Sequence, residues 1–255
     1  MFKAVRVTLL LFILVIVGSV TWLTKYRALK WDKPLDVVIY PINADKSEVA
    51  RAYIASLKRE SFQPIATLIK EEARRYGVLS DEPVRVWLAP ELDAVPPAPP
   101  VGGNVFSIMT WSLKLRYWAS QHDHFERTKA NIRLFALFHD PALTPVLAHS
   151  LGLEKGMLGV ANVFASRRQA GSNNVVLAHE MLHTLGATDK YDLQTTLPIF
   201  PDGYAEPNKS PLFPQESAEI MGGRIPVSAA RAEIPDDLTQ CTVGAATARE
   251  LRWLK

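Results

Sequence analysis

The sequence predicts a mixed fold, α+β or α/β, in a single domain over residues 34–255, preceded by one transmembrane helix within residues 1–33. Three observations carry this. Of the 255 residues, 48% are hydrophobic and 22% charged, a balance that fills a packed core and excludes disordered, collagenous and low-complexity chains. From residue 34 onward, short β-branched runs alternate with amphipathic helical stretches in the order β-α-β-α-β. Before them stands one apolar run without a charge.

That run is Val7–Leu23, VTLLLFILVIVGSVTWL. As a helix it spans roughly 25 Å, the short end of what crosses a bilayer. Lys3 and Arg6 precede it; Trp22, Lys25, Tyr26 and Arg27 follow, the aromatic and basic flank of a membrane interface. A cleaved signal peptide is the competing reading. Cleavage needs small residues in an A-x-A-like pattern, and only Gly18 and Ser19, inside the run, offer them, so a retained anchor is expected. The flanking charges do not fix topology, and the body is expected on the exported, periplasmic or extracellular side. The overall charge of +3 reports this N-terminus: six of 29 basic residues and one of 26 acidic residues lie in the first 33 positions, leaving 23 against 25 beyond. A near-neutral body excludes a nucleic-acid-binding surface. The single cysteine, Cys241, excludes an internal disulfide or a four-cysteine zinc site and reads as buried packing.

Along the body, Leu35–Asn43 (LDVVIYPIN) predicts a buried strand. Asp45 or Ser47 can cap a helix reaching about Lys58. Pro64–Tyr76 forms a second helix with Ile65, Leu68, Ile69, Ala73 and Tyr76 along its apolar stripe and Gly77 as its stop. Pro83–Ala89 alternates as a strand, and Val95–Gly103 (VPPAPPVGG) is a long surface loop. Asn104–Ser120 is helical with Ile108, Trp111, Leu115 and Trp118 near one face; Asn131–Phe138 is a strand. Val146–Ala165, apolar and glycine-punctuated, suggests short strands or a hairpin. Ser172–Leu185 is a helix with Asn173 and Asn174 at its start as caps. Thr195–Pro214 holds five of 18 prolines and must be irregular. From Pro235 onward a terminal helix is expected, broken near Gly244, with Asp236 and Asp237 at its N-terminus.

The chemistry sits in His179-Glu180-Met181-Leu182-His183. Two histidines four apart on a helix are separated by about 400° and 6 Å, so they share a face and can reach one metal ion. Glu180 is rotated by about 100°, where it can approach a water beside the metal instead of the metal itself. This is the H-E-x-x-H arrangement of zinc hydrolases. Its helix is strongly apolar through Val175, Val176, Leu177, Met181 and Leu182 and so is expected to be buried, where two histidines and a glutamate need partners. Gly186 follows, suited to turning the chain back, and Asp189 comes three residues later.

The full string HEMLHTLGATDKYD resembles the extended H-E-x-x-H-x-x-G-x-x-D signature of the metzincin metallopeptidases, in the branch that places aspartate where most have a third histidine. Snapalysin-like enzymes carry that aspartate, and HTLGATDKYD is similar to the corresponding stretch of immune-inhibitor-A-type peptidases. The resemblance covers about 14 residues and a later Glu219-Ile220-Met221-Gly222-Gly223, which looks like the family's methionine turn. It implies one catalytic zinc ion held by His179, His183 and Asp189, Glu180 as general base, and Met221 packed beneath the ligands. It also implies hydrolysis of peptide bonds, by an endopeptidase sooner than an exopeptidase, in a peptide or protein substrate. Some metzincins stabilise the oxyanion with a tyrosine two residues after the turn methionine; here Gly223 stands there, and Tyr191 or Tyr204 is the possible substitute. The alternative is a non-catalytic zinc-containing module of the cell envelope, against which the retained Glu180 speaks.

The substrate cleft is expected between Leu158–Ala165 and the proline-rich loop, with Leu158–Val163 either an edge strand that pairs with substrate or a plain core strand. His122-Asp123-His124 does not converge on a metal if helical, and His139, Asp140 and His149 read as structural. Arg167 and Arg168 read as solvated charge.

Overall fold

The computed structural model describes residues 6, 12, 23, 25–100, 102 and 104–254. Its order is β1 (Leu35–Asn43), α1 (Glu48–Ser56), α2 (Gln63–Arg75), β2 (Val84–Leu88), α3 (Val105–His122), β3 (Ile132–His139), β4 (Leu151–Leu153), β5 (Leu158–Phe164), α4 (Ala170–Leu185), β6 (Ala218–Glu219), β7 (Ile225–Ser228), β8 (Arg231–Glu233), β9 (Cys241–Thr242) and α5 (Ala245–Glu250). The fold is mixed α and β, as the composition and the alternating pattern predict. A five-stranded sheet runs β2-β1-β3-β5-β4; its first four strands are mutually parallel, and β4 closes one edge antiparallel to β5.

Strand β1 is buried on both faces because its alternate side chains enter two cores. Val37 and Ile39 pack with α1, α2 and α4 through Ile54, Ile65, Ile69, Leu177 and Met181. Val38, Tyr40 and Ile42 pack with α3 through Leu115 and Ala119. Helix α1 starts where the Ser47 hydroxyl accepts a hydrogen bond from Ala50 N at 3.0 Å. Helix α2 begins with Pro64 in its first turn, and Gly77 follows it with φ +84°.

Several expectations are corrected. Leu158–Val163 is an interior strand: β4 covers it, so the free edge of the sheet on that side is Leu151–Leu153. Helix α4 starts two residues before Ser172, so Asn173 and Asn174 lie inside it and cap nothing. Instead the Asn173 side chain bonds both backbone groups of Phe164, at 2.8 and 3.1 Å, and Asn174 donates to the Ser61 carbonyl at 2.9 Å. The long terminal helix is replaced by a 3-10 turn over Leu238–Gln240, the strand β9 and a six-residue α5. Among the described residues no helix is long and apolar enough to cross a membrane. The apolar run at 7–23, apart from Phe12 and Leu23, lies outside the described residues.

Packing of the body reaches back before residue 34. Residues 25–28 are helical, and Ala28, Leu29 and Trp31 are buried in the same core as β1. Trp31 Nε1 donates to the Leu251 carbonyl at 2.8 Å, and its ring meets Trp253 edge-on at 5.4 Å. The two ends of the body are thereby fastened together. Trp31→Ala is expected to destabilise the fold by about 3–5 kcal/mol, measured by urea unfolding, and Trp31→Phe by less, since one aromatic ring remains while the Leu251 bond and part of the packing are lost.

Candidate metal centre

Helix α4 lies against the sheet at Gly152 of β4, where a Cβ would collide with His183 Cβ and sit 2.6 Å from the Glu180 carbonyl oxygen. Only a residue without a side chain allows the helix this close, and the approach sets the histidine face beside the β4–β5 hairpin.

His179 and His183 stand on one face of α4 with ring centroids 4.6 Å apart and planes at 84°. Gly186, at φ +101°, ends the helix in the left-handed region, and Ala187 N returns to the Leu182 carbonyl at 3.1 Å. That turn brings the Ala187 carbonyl to His183 Nδ1 at 2.8 Å. His179 Nδ1 meets the Ile220 carbonyl at 2.9 Å. A carbonyl only accepts, so both Nδ1 atoms carry the proton, and each neutral ring has its lone pair on Nε2. Both Nε2 atoms face Asp189 Oδ1, at 3.1 Å from His179 and 3.0 Å from His183. The three ligand atoms lie within 4.8 Å of one another. Three electron pairs thus converge with no proton of the neutral rings between them. Two buried imidazolium ions or one metal cation would reconcile that arrangement, and a donor set of two imidazoles and a carboxylate suits zinc.

Burial pulls the His179 pKa down, but the Asp189 hydrogen bond, the Glu180 charge and the Ile220 carbonyl together hold it above the usual histidine value. Burial also raises Asp189, yet the two histidines outweigh it and keep the carboxyl well below the ordinary range. Glu180 is 5% exposed, with one oxygen, Oε2, buried and without a hydrogen-bond partner. Burial raises its pKa, against the lowering influence of the two histidines. It is therefore a stronger base than an exposed glutamate.

The segment beneath the cluster is a tight turn built on Glu219. Its buried carboxylate accepts from Met221 N at 2.7 Å, Gly222 N at 2.8 Å, Gly244 N at 3.0 Å and Thr247 Oγ1 at 2.7 Å. The turn points the Ile220 carbonyl at His179, while the fully buried Met221 gives its own carbonyl to Lys190 N at 2.9 Å, next to Asp189. Tyr191 is at the centre: its ring lies 6.2 Å from that of His179, and burial with the charges of Asp189 and Glu180 pushes its hydroxyl up to about 12. Tyr204 is not; it is buried between Phe200 and Phe213 and does not line the cleft.

A cleft of about 500 Å³ opens onto His179, Glu180 and Tyr191. Its walls differ from the expected ones. Strand β5 contributes only Asn162 and Phe164, and the proline-rich loop only Thr196. Residues 145–150, the first half of α4 and Gly222–Arg224 supply most of the rest. Sequence reasoning passed over Glu219, Arg224 and the 145–150 wall. Only Glu219 left a trace, as the residue opening the EIMGG string. Of the remaining histidines, His149, expected to be structural, lines the cleft. His122 bonds the Trp118 carbonyl and His139 bonds Asn162, while Asp123 pairs with Arg133 and with the Tyr40 hydroxyl. Cys241 is buried, which pushes its thiol up to about 12.

No protein-family model matches the chain, and no curated protein matches it.

Glu219→Ala strips the acceptor from four donors and is expected to cost about 3 kcal/mol or more in urea unfolding. It should also weaken metal binding, read by competition with a chromogenic chelator, because the Ile220 carbonyl loses its support.

Proposed function

We propose that this protein is a membrane-anchored zinc metallopeptidase of metzincin-like architecture, an endopeptidase acting on peptide or protein substrates. The observation that carries the reading is the convergence of the His179 Nε2, His183 Nε2 and Asp189 Oδ1 electron pairs beside a buried, partnerless Glu180 oxygen. A purely structural metal site has no use for that carboxylate, and a buried oxygen left unpaired costs free energy that a role in the reaction would explain.

His179, His183 and Asp189 would hold the ion, three protein ligands being the number found in catalytic zinc sites. When bound, zinc supplies Lewis acidity, drawing electron density from water and from a carbonyl oxygen. Glu180, raised in basicity by burial, takes the proton from the attacking water and delivers it to the leaving amine. Tyr191 keeps its hydroxyl proton across the working range and can donate it in a hydrogen bond to the carbonyl oxygen as charge develops there. The backbone carbonyls of Ile220 and Ala187 fix both rings so that no reorientation accompanies the reaction.

The full chain in detergent should carry one zinc per molecule by elemental analysis, lost in His183→Ala and weakened in Asp189→Ala. Glu180→Gln should keep the zinc and lower cleavage of a diverse peptide library by about 10³-fold. A folded wild-type chain that binds no zinc, or cleavage indifferent to Glu180→Gln, overturns the proposal. The anchor at residues 7–23 predicts that the chain stays with membranes through alkaline carbonate extraction; release into the supernatant removes it.

A further inference from the structure

A second concavity, of about 1170 Å³, shares none of its lining residues with the metal cleft. It is lined where β1, β2, β3 and β5 begin, by Leu35, Arg85, Asn131 and Met157 among others, and by the segment that follows the apolar run. Lys25, Arg27, Lys30, Lys33, Arg85, Lys129 and Arg133 face it, against Asp32, Asp36 and Glu154. This is a marked departure for a body whose charge is otherwise near balance.

Two of the three acids are already engaged. Asp36 pairs with Arg85 at 3.1 Å and also accepts from Trp87 Nε1 and Thr128 Oγ1, each at 2.8 Å. Glu154 pairs with Lys25 at 2.8 Å. Arg133 is held by Asp123, and Lys30 lies over the Tyr26 ring at 5.1 Å. Among the described residues Arg27, Lys33 and Lys129 have no carboxylate at ion-pair distance, although all three line one hollow. Like charges held together repel, and exposed lysines on mobile stems would separate. Here the backbone holds them in place, because Ala28, Leu29 and Trp31 are packed in the core on either side of the cations. The result is a cation-lined concavity large enough for a phosphate ester with its glycerol.

We propose that this basic concavity binds the phosphate headgroup of an anionic phospholipid. The apolar run ends at Leu23, two residues before the first lining lysine, which brings lipid headgroups to the hollow and favours them over free phosphate. Bound this way, the body stands with the starting ends of its strands on the membrane. The site needs neither zinc nor catalysis, and its test is independent of them.

The experiment is native mass spectrometry of the full chain in a neutral detergent, supplemented in turn with phosphatidylglycerol, phosphatidylcholine and inorganic phosphate. Retention of one phosphatidylglycerol is expected, with about tenfold or greater weakening in the double variant Lys33→Glu, Lys129→Glu. The exposed pair Lys70→Glu, Arg74→Glu on α2 should leave retention unchanged. All these positions are exposed, so a matching melting temperature by circular dichroism verifies folding. Equal retention of phosphatidylcholine, indifference to the Lys33 and Lys129 changes, or displacement of the lipid by millimolar inorganic phosphate would each overturn the proposal.

Discussion

The hydrogen bond from His179 Nδ1 to the Ile220 carbonyl joins two parts of the chain that sequence separates by 41 residues, and the rest of the centre depends on it. It fixes the proton on one side of the ring and the electron pair on the other. It ties the ligand helix to a turn whose geometry is set by a single carboxylate, Glu219. Through the Met221 carbonyl and Lys190 N, the same turn holds the segment that carries Asp189. A shift in that one bond would move all three ligand atoms at once.

The centre is expensive as a piece of protein alone. Burial opposes charge on His179, Glu180 and Asp189 together; their mutual interactions outweigh it for His179 and Asp189 but not for Glu180. Ordinary cores avoid gathering such groups, and the surrounding packing has to hold them in place. Here the packing is dense: Leu177, Ala178, Met181, Leu182 and Leu185 of α4 are all fully buried. Gly152 lets the helix sit close on the hairpin.

Much of this was legible in the chain, and what was not has a physical reason. Strand β1, the first three helices and the β4–β5 hairpin follow from periodicities and stop signals that act over a few residues. The ligand face of α4 follows from helical geometry alone. Asn173 and Asn174 misled because an amide that can cap a helix can equally bond the backbone of a neighbouring strand, and only tertiary structure decides. Leu158–Val163 has the alternation of an edge strand, but edges are made by topology, and three residues, Leu151–Leu153, take that place. The terminal helix is shortened because Gly244 N and Thr247 are held by Glu219, more than twenty residues upstream. Cleft walls drawn from residues 145–150 carry no periodic signal at all.

The pairing of Trp31 with Leu251 and Trp253 fastens the segment from Lys25 onward to the body. A chain anchored by the apolar run would carry its body as a rigid post, with the metal centre at one height above the lipid surface. A tethered domain on a loose linker samples a volume; this one would sweep a plane parallel to the bilayer. Reach then becomes a filter of its own. A target bond is accessible or not according to its height above the lipid surface, before any side chain is read.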